Sequence, residues 1–299
     1  MQKNSQRFIL SVLTVLFCLN VLAWIAVFEL SKPKFLEVIF FDVGQGDAIF
    51  IETPQGHQIL IDGGPGSVIL EKLGKEMPFW DRSIDLIILT HPERDHLAGL
   101  IEVLKKYKIE NILWTGVLRD TAEFKEWQEL IQHEDAKIFI AKSGQKISSP
   151  TPDVGDWYIE ILYPFENLEG QEFKNSNNTS IVSKLEFNEI SFLFTGDIYQ
   201  SVEKKLISEY SCSNSCKSAS LDSDVLKLAH HGSKTSTSDE FLKEVFPKIT
   251  VISVGKNKYG HPHQEVLERL GKFGIRILRT DMEGDIKIFS DGKNLKLKI

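Results

Sequence analysis

Short apolar runs rich in Ile, Val, Leu and Phe recur along the whole chain, among them FLEVIFFDV (35–43), AIFIET (48–53), QILIDG (58–63), DLIILT (85–90), YIEILYP (158–164), ISFLFTG (190–196), VLKLAHH (225–231) and ITVISVG (249–255). Runs of this length, β-branched and aromatic and closed by Gly, Pro, Asp or His, predict strands. Amphipathic spacing between several of them predicts helices over 96–106, 121–133, 199–210, 238–246 and 264–273. The early runs follow one another closely enough for hairpins, whereas helices separate the later ones. That order predicts an α/β fold, an αββα sandwich of two mixed sheets with helices outside, as one domain over residues 35–299.

One segment breaks the pattern. Residues 8–30 read FILSVLTVLFCLNVLAWIAVFEL, 23 positions whose strongly polar members are Asn20 and Glu29. This is long enough to span a bilayer as a helix. It exceeds a usual signal-peptide apolar core and no small-x-small cleavage site follows, so an uncleaved anchor over residues 1–34 is expected rather than a removed leader. Lys3 and Arg7 precede the segment and Lys32 and Lys34 follow it. With the amino terminus added, this weak asymmetry favours a single-pass protein of the cell membrane with a cytoplasmic amino end and an extracytoplasmic body. Cys18 in the segment reads as a small apolar residue, and Cys212 and Cys216 in a Ser/Asn-rich loop read as a local disulfide outside the cell, against the alternative of two free thiols.

Composition narrows the function. With 42% hydrophobic and 26% charged residues, a chain of 299 can bury a full core without a metal or disulfide, so any metal would serve chemistry. The formal charge of −7 excludes a broad basic surface for tightly held nucleic acid. It does not exclude nucleic acid as a transient substrate, because metal ions and a local patch supply charge that the formal count omits. Lys227, Lys234, Lys256 and Lys258 surround the late motifs and are candidates for such a patch.

The candidate chemistry sits at the carboxyl ends of the predicted strands, where open α/β architectures bind ligands. DLIILT runs into His91-Pro92-Glu93-Arg94-Asp95-His96, four potential metal ligands in six residues at a strand-to-helix turn. ISFLFTG ends at Asp197, VLKLA at His230 and His231, and ITVISVG leads to His261. Asp42, Gly44, Gly46 and Asp47 form one predicted turn, and Asp62, Gly63 and Gly64 another. Carboxylates and imidazoles beside glycines at several strand ends are what a metal-assisted hydrolase needs, because the ions lower the pKa of water and offset charge on the scissile group.

Taken in order, DVGQGDAIFIETPQG (42–56), ILIDGG (59–64), THPERDHLAGL (90–100), NNTSIV (177–182), FTGD (194–197), LKLAHHGSKTSTS (226–238) and ISVGKNKYGHPHQEVLERL (252–270) resemble the metallo-β-lactamase fold. Within it they resemble the carboxy-terminal, nuclease-like domain of the ComEC DNA-uptake family. The resemblance implies His91, Glu93, Asp95, His96, Asn178, Asp197 and His230 as metal ligands, with His231 the alternative to His230. Glu93 and the Asn177-Asn178 pair stand where many relatives carry His, which makes one site harder and weaker. Two divalent ions of unequal affinity are thus expected, Zn²⁺ or Mn²⁺, with Mg²⁺ also suited to the weaker site.

Asp95 or Asp197 is expected to orient the attacking water and His261 to serve the leaving oxygen. Ser233 and Ser236, with Lys234 and His263, are candidates to hold a phosphate. The family's multi-helix channel is here replaced by one apolar segment, so a separate DNA-uptake channel protein is a candidate partner and DNA a candidate substrate. A small-molecule or cell-envelope phosphodiester, or a non-catalytic metal-ordered binding module, are the alternatives.

Overall fold

In a computed structural model of the chain, the strand β1 (Leu36–Phe40) sends Leu36, Val38 and Phe40 to one side and Ile39 to the other, and all four are buried. A strand buried on both faces must lie between two apolar layers. The structure describes residues 2–31, 35–148, 157–211 and 220–298. It divides into two units, residues 1–34, which carry the helix α1 (Gln2–Ser31), and residues 35–299.

In the second unit β1 pairs antiparallel with β2 (Ile49–Glu52), and β2 with β3 (Gln58–Ile61), as the closely spaced runs predict. Parallel strands β4 (Ser83–Leu89), β5 (Lys108–Trp114) and β6 (Lys137–Ile140) then extend the sheet. The second sheet contains β7 (Lys146–Ser148), β8 (Trp157–Tyr163), β9 (Val182–Phe187), β10 (Ile190–Phe194), β11 (Val225–Lys227), β12 (Ile249–Ile252) and β13 (Arg276–Arg279). The chain returns to the first sheet with β14 (Ile286–Ser290) and β15 (Leu295–Lys298), giving the orders β15-β14-β1-β2-β3-β4-β5-β6 and β13-β12-β11-β10-β9-β8-β7.

Three apolar layers hold the stack together. Leu36, Val38, Phe40, Ile161, Phe192 and Phe194 fill the space between the sheets. Helices α2 (Val68–Glu76), α3 (Arg94–Leu104) and α4 (Ala122–His133) cover the first sheet with Leu73, Leu97, Leu100, Phe124 and Trp127. On the second sheet α5 (Gln200–Tyr210), α6 (Asp239–Val245) and α7 (Gln264–Lys272) contribute Val202, Phe241, Leu242, Val266 and Leu270. This is the αββα sandwich expected, with α2 and the one-turn α8 (Thr280–Glu283) as helices the pattern did not predict.

In the first unit, α1 leaves Leu10, Phe17, Leu22 and Trp24 exposed. Among the described residues no helix is long and apolar enough to cross a membrane. Lys32, Lys34, Cys212 and Cys216 lie outside the described residues.

Candidate metal centre

The site forms where the loops after β3, β4, β10 and β11 meet the first turn of α3. Two close backbone approaches bring them together. Gly63 N–H donates to His96 O (2.8 Å) and Gly99 N–H to Gly64 O (2.9 Å), and a side chain on Gly99 would place its Cβ 1.7 Å from Gly63 O. Gly46 likewise leaves its Cβ position 2.2 Å from Asp95 O. Only glycine at these points lets α3 start against the two turns, and that start carries Asp95 and His96.

His96 is buried and its Nδ1 lies 2.7 Å from Asp62 Oδ2. The Asp62 carboxylate also accepts from Thr90 N (2.8 Å) and Thr90 Oγ1 (2.6 Å), so it is fixed before it orients the imidazole. With Nδ1 on Asp62, His96 directs Nε2 to Asp197 Oδ2 at 3.4 Å. From the opposite side His231 Nδ1 donates to Ser253 O at 2.8 Å, which turns its Nε2 to 3.4 Å from Asp197 Oδ2 and 3.5 Å from Asp95 Oδ2. Asp95, His96, Asp197 and His231 thereby form one cluster of donors within 4.8 Å of one another.

The donor set fits a divalent cation. The Nε2 atoms of His91, His96 and His231 and Oδ1 of Asp197 are buried without a hydrogen bond. Burial would lower the pKa of His96 and His231, yet Asp197 and Asp62 raise His96 well above the imidazole range, and Asp197 and Asp95 raise His231 to about 10. Asp95 and Asp197 are held below the carboxylate range against their burial, chiefly by the same imidazoles. A field that draws protons onto two buried imidazoles draws a divalent cation equally, which takes the neutral imidazoles as ligands.

The choice between His230 and His231 follows from backbone geometry. The run VLKLAHH does not continue as a strand: β11 ends at Lys227, and His230 and His231 take φ of 51° and 53° in a tight turn. That turn buries His231 in the cluster. His230 lies at the mouth, its Nε2 4.0 Å from Asp197 Oδ2 and its ring stacked on Tyr199.

Several expected positions are placed elsewhere. The Glu93 carboxylate is clasped by Arg119, Nη1 to Oε1 at 2.7 Å and Nη2 to Oε2 at 2.8 Å, and also accepts from the Ser176 hydroxyl. Asn178 is turned to α5, its Oδ1 accepting from Tyr199 N (3.0 Å) and its Nδ2 donating to Ser201 Oγ (3.2 Å), while Asn177 Nδ2 lies 3.3 Å from His230 Nε2. His91 is buried beside His96, ring centroids 4.2 Å apart, outside the four-residue cluster. Burial holds His91 well below the imidazole range.

Ser233 and Ser236 are buried in their own loop, Ser233 Oγ sharing a hydrogen bond with Thr235 Oγ1 (2.9 Å) and Ser236 Oγ donating to Ile198 O (2.7 Å). Lys234 is exposed, and His263 precedes α7 with its ring 5.3 Å from that of His261. Asp42 accepts from Gly44 N (3.2 Å) and is a turn residue. Asp47 is more than that: it is buried and ion-paired with Lys227, whose ammonium also donates to Gly196 O (3.0 Å) and lies 3.6 Å from Asp197 Oδ1. Lys227 is therefore not part of a surface patch. Arg119 and Ser176 carry no motif signal and emerge only from the fold, while Thr90 opens the THPERDHLAGL run but shows its hold on Asp62 only in the structure.

The cluster opens to a groove lined by Gln45, Glu93, Asp95, Asn177, His230 and His261. Lys174 and Tyr259 also line this groove, and Arg94, Lys256 and Lys258 line the adjoining cavity that shares Gln45, Glu93, Asp95 and Tyr259 with it. Tyr259 is 59% exposed. His261 is held down to about 4 by burial and by His230, His231 and His263 around it, and its Nδ1 has no partner.

Two α-covered mixed sheets with an Asp/His cluster at the strand ends define a metallo-hydrolase of the metallo-β-lactamase fold. The chain belongs to the metallo-beta-lactamase superfamily, whose signature matches residues 41–256. It is similar to ComE operon protein 3 of Bacillus subtilis (33% identical over 84% of this chain and 32% of that protein). It is also similar to Competence protein ComA of Neisseria gonorrhoeae (30%, 84% and 32%) and Recombination protein 2 of Haemophilus influenzae (28%, 92% and 31%). The chain spans about a third of the length of these relatives, which bear out the ComEC-like resemblance of its motifs. Among solved structures the fold is shared with YhfI of Bacillus subtilis (TM-score 0.55, 13% identity, 86% of this chain and 100% of that one). It is shared as well with Igni18 of Ignicoccus hospitalis (0.51, 14%, 85% and 98%).

Proposed function

We propose that this chain is a metal-dependent phosphodiesterase that cuts DNA in connection with DNA uptake, tethered to the cell membrane through residues 8–30 with its body on the extracytoplasmic side. The observation that carries the reading is the position of the Asp95–His96–Asp197–His231 cluster at the base of a groove that, with its adjoining cavity, is lined by Arg94, Lys174, Lys256, Lys258 and Tyr259. A cationic lining with an exposed aromatic ring suits a polyanion with stackable bases, in a molecule whose total charge is −7. The names of the relatives, competence and recombination proteins, point the same way. A separate channel protein is the partner the reading implies.

Asp95, His96, Asp197 and His231 would hold the cation. When bound, a divalent ion supplies a nucleophile at neutral pH by lowering the pKa of water and offsets charge on phosphoryl oxygens. The chain's own groups do the rest. Asp62 and Ser253 O fix which nitrogen each imidazole presents. Asp95, lining the groove, is placed to orient the attacking water, and Asp197 shares that face. His261, also in the lining, is placed to hydrogen-bond the leaving oxygen. Arg94, Lys174, Lys256 and Lys258 hold the flanking phosphates in register. The membrane tether rests on the apolar composition of residues 8–30 and on the exposed Leu10, Phe17, Leu22 and Trp24 of α1, which need an apolar environment.

The test is incubation of the full chain with labelled single-stranded DNA, duplex DNA and bis-p-nitrophenyl phosphate in Mg²⁺, Mn²⁺ or Zn²⁺. Cleavage of DNA, abolished by EDTA and by Asp95→Ala, is expected. Cleavage of the small ester alone would shift the reading to a small-molecule or cell-envelope phosphodiester. Binding of DNA without cleavage in every metal would make the domain a metal-ordered binding module.

A further inference from the structure

Five carboxylates crowd this end of the sandwich: Asp47, Asp62, Glu93, Asp95 and Asp197. Their partners divide them. Asp47 carries the buried ammonium of Lys227, and Asp62 is consumed by His96 and both polar groups of Thr90. Glu93 is engaged at both oxygens by the Arg119 fork and again at Oε1 by Ser176, itself fully buried. A two-point guanidinium–carboxylate contact is the strongest geometry available to such a pair.

Arg119 is not a stray surface side chain. Its loop is fastened to the chain before Ser176 by Leu118 N–H to Gln171 O (2.9 Å) and Gly170 N–H to Gly116 O (2.9 Å), and Arg119 Nη1 donates to Ser176 Oγ at 3.1 Å. What remains on the Glu93 side of the centre holds no further carboxylate: the imidazoles of His91 and His230 and the amide of Asn177. Among the described residues no metal-sized group of donors includes Glu93 or His91. Only Asp95 and Asp197 keep a carboxylate directed at the cluster without a fixed cation at hydrogen-bond distance. Two such charges balance one divalent ion.

We infer that this centre takes a single divalent ion, on Asp95, His96, Asp197 and His231, and that the guanidinium of Arg119 clasped to Glu93 occupies the role of the second cation. Arg119 acts through Glu93 and is a positioning residue. It withdraws the carboxylate that a second ion would need, and the pair it forms with Glu93 at the groove wall is net neutral. The two ions of unequal affinity expected from the motifs reduce to one ion and one arginine.

The inference rests on the reading of the cluster as a metal site, and the experiment separates the two. Metal-free full-length chain is titrated with Mn²⁺, with stoichiometry read by native mass spectrometry and calorimetry. One ion per chain is expected. Glu93→Gln, which keeps the side-chain shape, is expected to bind one ion with affinity within about tenfold, because at most an outer hydrogen-bond partner has changed. Arg119→Ala frees Glu93 and is expected to admit a second, weaker ion. Two ions in the unaltered chain, with one lost in Glu93→Gln, would overturn the inference while leaving the metal site intact. A folded Arg119→Ala variant that still binds one ion would overturn the role given to Arg119. Binding of none by the unaltered chain would overturn the metal reading itself.

Discussion

Lys227, the last residue of β11, closes its ammonium on Asp47 from the β1–β2 loop, and both side chains are at most 2% exposed. The pair ties the two sheets beneath the metal cluster, since the same ammonium reaches Gly196 O and stands 3.6 Å from Asp197 Oδ1. Burial works against a charged lysine, yet Asp47 and Asp197 hold its pKa above the ordinary value. Removing one partner of a buried pair leaves the other uncompensated.

Lys227→Met should therefore destabilise the body by about 3–5 kcal/mol, the usual cost of breaking such a pair. Asp47→Asn added to it should recover part of the loss, because the orphaned charge is gone. Urea unfolding of the single and double variants in EDTA measures both without interference from metal. Equal stability of Lys227→Met and the unaltered chain would show that the ammonium is not needed to hold this loop.

Asp62 lies behind His96 rather than in the groove lining, and it still governs the site, since it sets the tautomer of His96. Asp62→Asn keeps the volume but presents a weaker, uncharged acceptor to Nδ1–H. Mn²⁺ affinity should fall by about 10–100-fold, the range for loss of an outer carboxylate behind a metal-binding imidazole. Calorimetric titration of the folded variant checks this, with unchanged affinity as the contrary result.

How far the residues announced these roles depends on distance along the chain. His91, Asp95 and His96 lie within six positions, so one strand-to-helix turn is enough to suggest a shared site. Hairpins and helices were legible for the same local reason, the apolar period. Partners far apart were not. Asp62 and His96 are 34 residues apart and Glu93 and Arg119 are 26 apart, and nothing in DGG or in VLRD signals either contact. Lys227 reads as surface charge until β11 is seen to bury it between Asp47 and Asp197. The choice of His231 over His230 needed the left-handed backbone at both residues, which alternation along VLKLAHH does not foresee.

Gly99 tests the packing of α3 against the Asp62 turn. Its ideal Cβ would stand 1.7 Å from Gly63 O, a backbone atom that cannot rotate away. Gly99→Ala should push the helix off the turn, cost at least about 1–3 kcal/mol as overpacked sites do, and weaken Mn²⁺ binding by displacing Asp95 and His96 together. Thermal unfolding with and without Mn²⁺ reads both effects. An unshifted midpoint would mean the two backbones separate without consequence.

Glu203 offers a pH signature away from the metal cluster. From the first turn of α5 its carboxylate accepts from Thr237 N and from Ser238 N (2.9 Å), holding the loop in which Thr237 has φ of 60°. Burial raises its pKa above 4.5 in spite of those two donors. The folded state thus holds the Glu203 proton more tightly than the unfolded state, so this group's contribution to stability is fully present below 4.5 and declines as pH rises through the folded value. Glu203→Gln removes the titration while keeping an acceptor. The stability of the unaltered chain relative to Glu203→Gln should accordingly fall as pH is raised from about 4 upward and level off once the folded carboxyl has ionised. Paired urea midpoints across that range measure the difference, and a difference that rises with pH would show that the two backbone donors outweigh burial.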